Sequence, residues 1–245
     1  MADADVTLLP HIRAVHRRSR LTGPFAFFSD RRAVSAVEFA FIAPLAIMLL
    51  LAGFDMSRFI LATERCSAVA NAMAQMLSTT PVSALAQTPG DGVISSSDVM
   101  DIANSAWFIF PESLAESVTS GQAFGAVLQG NMASVRFTAT PAGCTTNCTY
   151  TPKYVWTYAA GPDARHCGGA TITAVADTAP YSPTALPANV FGPNSLVVVD
   201  IFYTFRPTLG ARYLKSIKIQ RSAFLNPRFA TTIEAADSQY IEVCS

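Results

Sequence analysis

The sequence predicts an α+β fold in which one long N-terminal helix, membrane-spanning and then amphipathic, packs on a small antiparallel sheet. Three observations predict it. Residues 39–54 form an apolar run without a charge, helical spacing of apolar positions continues past that run to Leu77, and β-rich segments fill the second half of the chain.

With 245 residues the chain has room for one domain and an appendage. Hydrophobic residues make up 51% and charged residues only 14%, against roughly 25% charged in average globular chains. Mean hydropathy is +0.32. So large a deficit of charge implies that lipid solvates part of the chain. The net charge is zero, so no global field points to nucleic acid or to acidic substrates.

The apolar run begins at Phe39 and ends at Phe54. With Ala36 and Val37 upstream, it approaches the ~20 residues that a helix needs to cross a ~30 Å hydrocarbon core. Arg13, Arg17, Arg18, Arg20, Arg31 and Arg32 precede it, whereas Asp55 and Arg58 cancel beyond it. The positive-inside rule then places residues 1–33 in the cytoplasm and residues 55–245 outside. A cleaved secretory signal is the competing reading. Against it, the run exceeds the usual 7–15-residue apolar region, no small-x-small cleavage site follows Gly53, and the helical pattern continues.

Three segments are expected: a basic leader at 1–33, a transmembrane and stalk helix at 34–77, and an extracytoplasmic α+β domain at 78–245. Beyond the membrane, Met56, Phe59 or Ile60, Thr63, Cys66, Ala70, Met73 and Met76 or Leu77 recur with the period of an amphipathic helix. Ser78-Thr79-Thr80-Pro81 ends it, since proline disfavours helix in its predecessor. The alternating Ala68, Ala70, Ala72 and Ala74 suit close approach of another helix. A second helix is expected to start at Ser95-Ser96-Ser97-Asp98 and to stop before Pro111. Strands are expected at 134–140, 150–158, 196–205 and 216–222. The third is nearly continuous in Val, Ile, Phe and Tyr, which predicts a central strand.

Cys144, Cys148, Cys167 and Cys244 form an even set on the exported side, where disulfides persist, and three connectivities are open to them. A Cys144–Cys148 bond would close a short loop and leave Cys167 to tie Cys244 to the domain. Zinc held by Cys144, Cys148, Cys167 and His166 is disfavoured, because adjacent His166 and Cys167 cannot easily both ligate. Cys66, on the apolar stripe, reads as a small core residue. No metal site and no cofactor are expected.

Catalysis has little material. His11 and His16 fall in the leader, His166 stands alone outside, and the motifs of metalloproteases, serine hydrolases and phosphate-binding loops are missing. Asp98 with Asp101, and Glu112 with Glu116, read as solvated helix faces. Trp107, Phe108, Phe110, Trp156 and Tyr158 read as core. Arg212, Lys215, Lys218, Arg221 and Arg228 give the C-terminal part a basic surface.

The stretch Asp30-Arg31-Arg32-Ala33-Val34-Ser35-Ala36-Val37-Glu38-Phe39-Ala40, followed by Phe41-Ile42-Ala43-Pro44-Leu45, resembles the signature of TadE-like proteins of Tad (tight-adherence, Flp) pilus assembly. There a basic leader, a small residue and four small or apolar residues precede a Glu-Phe or Glu-Tyr pair and an apolar helix with an early proline. Phe54-Asp55-Met56-Ser57-Arg58 and the alanine-rich continuation are similar to the next stretch of that family's helix. Arg221-Ser222-Ala223-Phe224-Leu225-Asn226-Pro227-Arg228 is similar to the family's close. The resemblance covers residues 33–77 best. It implies a single-pass inner-membrane protein with a periplasmic domain, acting as a minor pilin or assembly component and not as an enzyme. It also implies a prepilin-type peptidase cut between Ala33 and Val34, and Glu38 and Phe39 as the processing and subunit-pairing motif. The implied partners are the inner membrane, other Tad pilin-like subunits, the assembly platform and the peptidase, with no nucleic acid. The alternative reading is a signal-anchored periplasmic domain that binds a ligand or catalyses a reaction.

A carboxylate at the centre of a membrane helix costs ~2.5–3.5 kcal/mol, and such residues usually mark function. Glu38 could instead lie near the interface and snorkel, gaining ~0.3–1 kcal/mol from the helix dipole.

Overall fold

Alanine and leucine dominate the N-terminal half of the first helix, and both are strong helix formers. In the computed structural model, which describes residues 31–159, 161, 163–168, 171–208 and 215–244, they form one helix, α1, spanning Arg31–Ser78 with Pro44 inside it. Most of the expected leader lies outside the described residues. Hydroxyls close the helix: Ser78 Oγ donates to the Gln75 carbonyl, Thr79 Oγ1 to Met76 and Thr80 Oγ1 to Leu77. These satisfy carbonyls that the helix end leaves without intrahelical partners.

The chain divides into two compact units, Met1–Leu50 and Leu51–Ser245. In the first, the described residues belong to α1. The second holds the rest of α1, a 3₁₀ turn at Ala188–Val190, and the other helices and strands. These are β1 (Gly92–Ile94), α2 (Ser96–Ile109), α3 (Pro111–Ser120), α4 (Phe124–Val127), β2 (Leu128–Thr140), β3 (Thr149–Tyr158), β4 (Thr173–Val175), β5 (Ala185–Pro187), β6 (Leu196–Phe205), β7 (Ile217–Leu225), β8 (Ile233–Ala235) and β9 (Glu242–Val243).

The main sheet has the order β7-β6-β2-β3-β9, and every neighbouring pair in it is antiparallel. β6 is its most buried strand: every residue but Thr204 is buried. A strand so covered on both faces reads as a continuous apolar run rather than an alternating one. Two short parallel pairs, β1–β8 and β4–β5, stand beside the sheet.

Alternation along β6 divides the core in two. Val197, Val199, Ile201, Tyr203 and Phe205 share a cluster with Cys66, Val69, Met73 and Leu77 of α1, Val99 of α2 and Trp156 of β3. Leu196 and Val198 join Val135, Phe137, Tyr154, Ile172 and Leu186 in the other cluster, under the loops between β3 and β6. Burying a side chain of this size contributes ~1.5–3 kcal/mol, so α1 from Leu51 on is held by the sheet rather than by helix propensity.

Several boundaries differ from expectation. β2 starts at Leu128 rather than at 134, because ladder pairing of Leu128–Val135 with Tyr203–Leu196 overrides weak β-formers such as Asn131 and Gly130. α3 has no counterpart among the expected helices. Pro111 ends α2 and also starts α3, where a first-turn proline lacks only a donor that has no partner anyway. Gly121 closes α3 in the left-handed conformation, φ 65°. The inward stripe of α1 is Ala62, Cys66, Val69, Ala70, Met73, Ala74 and Leu77, while Met56, Ile60 and Met76 face outward.

Candidate functional site

From Ser35 to Phe54 every residue of α1 is exposed except Ala43, which is half-buried. Phe41, for example, is 79% exposed. An all-round apolar helix surface is stable only in hydrocarbon or against other helices. This is the one helix among the described residues long and apolar enough to cross a membrane. Glu38 is the only acid between Ser35 and Phe54, and it too is exposed, with Phe39 beside it. Ala33 and Val34 lie on helical backbone, and Glu38 follows Val34 by about one turn, or ~6 Å of rise. The side chains of Ala33 and Val34 are outside the described set.

The first charges beyond the run turn toward the sheet. Asp55 is 9% exposed; its Oδ1 accepts from the Thr208 backbone N–H at 3.2 Å and lies 3.7 Å from Arg58. Arg58 donates to Thr208 Oγ1, and its guanidinium lies 5.7 Å from the Phe205 ring centre. Phe59 meets Phe205 edge-on at 5.5 Å. These contacts explain why Met56, expected on the inward stripe, faces outward, and why Phe59 rather than Ile60 holds that stripe: Asp55, Phe59 and Ala62 take the inward side. Of the four alternating alanines, Ala70 and Ala74 are buried in the chain's own core, leaving Ala68 exposed and Ala72 partly so.

Cys144 is joined to Cys148 within the β2–β3 connection, with Cα atoms 5.7 Å apart. Cys167 is joined to Cys244 across 77 residues, with Cα atoms 5.1 Å apart. This second bond fastens the loop after β3 to the end of β9. Cys66 is a free, buried thiol; burial pushes it up to about 12, with Arg221 pulling slightly the other way.

One buried ion pair and one half-exposed charge cluster were missed by sequence reasoning. Arg165 Nε donates to Asp200 Oδ2 at 2.7 Å, both side chains nearly without solvent. Nη1 donates to Tyr154 Oη at 3.1 Å and to the Ala185 carbonyl at 3.0 Å, and Ser222 Oγ donates to Asp200 Oδ1 at 2.6 Å. Burial by itself would lower the Arg165 pKa, but Asp200 and Tyr154 outweigh it and hold it above the ordinary value. At the opposite edge of β2, Arg136 pairs with Asp91 and Glu234. Asp91 also accepts from the Thr232 N–H at 2.9 Å. Burial lifts the Asp91 carboxyl against the opposing pull of Arg136. An acid in the middle of β6 was the legible half of the first pair; its partner, in a loop 35 residues away, carried no signal.

The remaining candidates fall into structural places. Asp98 forms a reciprocal cap with Ser95 at the start of α2, and Glu116 accepts from the Tyr203 hydroxyl. Trp156 is buried and donates from Nε1 to the Ile233 carbonyl at 2.9 Å. Phe108 and Trp107, both expected in the core, are exposed, Phe108 at 87% and Trp107 at 39%, because α2 turns its Val99–Ala106 side to the core. His166 Nδ1 lies 3.3 Å from Glu242 Oε2. Lys218 pairs with Asp163, and Arg212 lies outside the described residues.

Among the described residues, a cavity of about 220 Å³, lined by Met73, Trp107, Tyr158 and Ile201, lies between α1, α2 and the sheet. Another of about 300 Å³ lies under the loops by Arg165, Tyr181 and Gln220. Both are at or below the lower end of the ~300–1,000 Å³ typical of ligand pockets.

Residues 33–75 match the family model described as TadE-like protein. No curated protein and no solved structure matches the chain.

Proposed function

From the premise that residues 33–75 are a TadE-like segment, we propose that the chain is a minor pilin-like component of a Tad pilus-assembly system. In this reading α1 anchors it in the inner membrane, with residues 1–33 in the cytoplasm and the α+β unit in the periplasm. Its role is structural, exercised through packing with other pilin-like subunits and the assembly platform.

The observation that carries the proposal is Glu38, an exposed acid on an exposed apolar helix inside the matched segment. A prepilin-type peptidase cutting between Ala33 and Val34 would create an α-ammonium one turn from Glu38. Stacked subunits could then pair one chain's glutamate with the next chain's amine, offsetting the burial of both charges in hydrocarbon. Such a pair sets axial register as well as affinity. The outward residues Ala68 and Ala72 favour close approach of a neighbouring helix just above.

Mass spectrometry of the mature N-terminus tests the processing step. The expected product begins at Val34. A chain that keeps residues 1–33, or is cut elsewhere, contradicts it.

A further inference from the structure

The apolar surface of α1 does not stop at Phe54. Met56, Ile60 and Leu61 are exposed large apolar residues, whereas Asp55 and Arg58, which would mark the water boundary, are folded onto Thr208 and Phe205. A ~30 Å hydrocarbon core takes about 20 helical residues. Counted from Phe39, it ends near Arg58, so Ile60 and Leu61 fall at the headgroup level.

Other elements reach the same level. Phe205, which packs on Phe59, is the ladder partner of Ile217, and Ile217 is 46% exposed. Arg206 follows directly and donates to Gln122 Oε1 at 3.1 Å, which brings the C-terminal end of α3 to this end of β6. On α3, Val118 is 77% exposed. Arg206 and Lys215 are exposed beside these apolar residues. Apolar side chains rimmed by cations are the composition of a surface that lies in a bilayer interface, and long basic side chains there reach to phosphate.

We propose that this end of the α+β unit, formed by Ile60, Leu61, Val118 and Ile217 with Arg206 and Lys215, docks into the interface of the bilayer that α1 crosses. The inference rests on the membrane-anchor part of the proposed function. Its occupant is lipid because, within this unit, the patch extends the exposed apolar residues of α1 at Leu51, Phe54, Met56, Ile60 and Leu61, and Arg206 and Lys215 lie at its rim. Docking would fix the height and tilt of the unit and thereby the face it offers to other subunits.

Site-directed spin labelling in nanodiscs of phosphatidylethanolamine and phosphatidylglycerol tests this. Cys66 is buried and the other four cysteines are paired, so a cysteine introduced by Val118→Cys or Ile217→Cys takes the label selectively. The ratio of collisions with oxygen to collisions with a nickel chelate should be several-fold higher at both sites than at Leu85→Cys. Leu85 is exposed beyond the far end of α1, which rises ~28 Å from Phe59 to Ser78. A ratio at either site equal to that at Leu85 overturns the proposal. Low collision rates with both reagents also overturn it, because they assign the patch to another protein. Leu45→Cys separates the two readings: a water-like ratio there defeats the anchor itself, whereas a lipid-like ratio there with water-like Val118 and Ile217 defeats only the docking.

Discussion

Asp200 stands in the middle of the most apolar strand of the sheet, and Arg165 is what makes it tolerable there. Removing one member of a buried pair leaves the other charge without compensation, at a cost of ~3–5 kcal/mol. Arg165→Met should therefore lower unfolding stability by about that much in urea titrations, and Arg165→Met with Asp200→Leu should recover most of the loss. A double variant as unstable as the single one would show that the pair's loop hydrogen bonds, rather than its charges, hold the β3–β6 loops on the sheet. Cys66 makes a second test at this scale. Its thiol, pushed up to about 12, favours the folded state: the contribution is complete below the unfolded value near 9.0 and is lost as pH rises toward 12. Maleimide should leave Cys66 unmodified in the native protein at about pH 8, below both values, and label it once guanidinium unfolds the chain; rapid native labelling would contradict its burial. The role of Cys66 was legible from its place on the helical stripe. The Arg165–Asp200 pair was not, because a long-range partner in a Gly- and Pro-rich loop leaves no periodicity.

Among the elements, the longest and most strongly patterned were the most legible. α1 ends one residue past the expected point, and β3 and β6 lie where residue type predicts strands, because their apolar runs are also what they bury. The short pairs β1–β8 and β4–β5 and the helix α3 were not legible: three-residue parallel pairs depend on tertiary placement, and Pro111 signals a stop as readily as a start. Pairing of the cysteines was left open by the sequence, since spacing alone cannot choose among connectivities. The Cys167–Cys244 bond spans 77 residues against 4 for Cys144–Cys148, and in the chain-entropy account longer loops gain more. Replacing Cys167 and Cys244 by serine should cost ~2–4 kcal/mol in denaturant titration, and replacing Cys144 and Cys148 should cost less. The reverse order would mean that the short bond, not the long one, stabilises the domain.

For the whole molecule, the segment that matches the TadE-like model, residues 33–75, includes a helix long and apolar enough to cross a membrane. Alkaline phosphatase fused after Ser245 should be active, as the arginine asymmetry ahead of the apolar run requires; an inactive fusion with an active cytoplasmic reporter at the same site would reverse the topology. The central claim is that Glu38 works between subunits, and Glu38→Ala as the only copy in the cell addresses it most directly. The substitution removes a charge at the start of the apolar run, so membrane insertion should be unchanged or improved. Pilus assembly should nonetheless be lost, because the group that pairs with a neighbour's amine is gone. Normal pili on cells carrying Glu38→Ala would contradict the account.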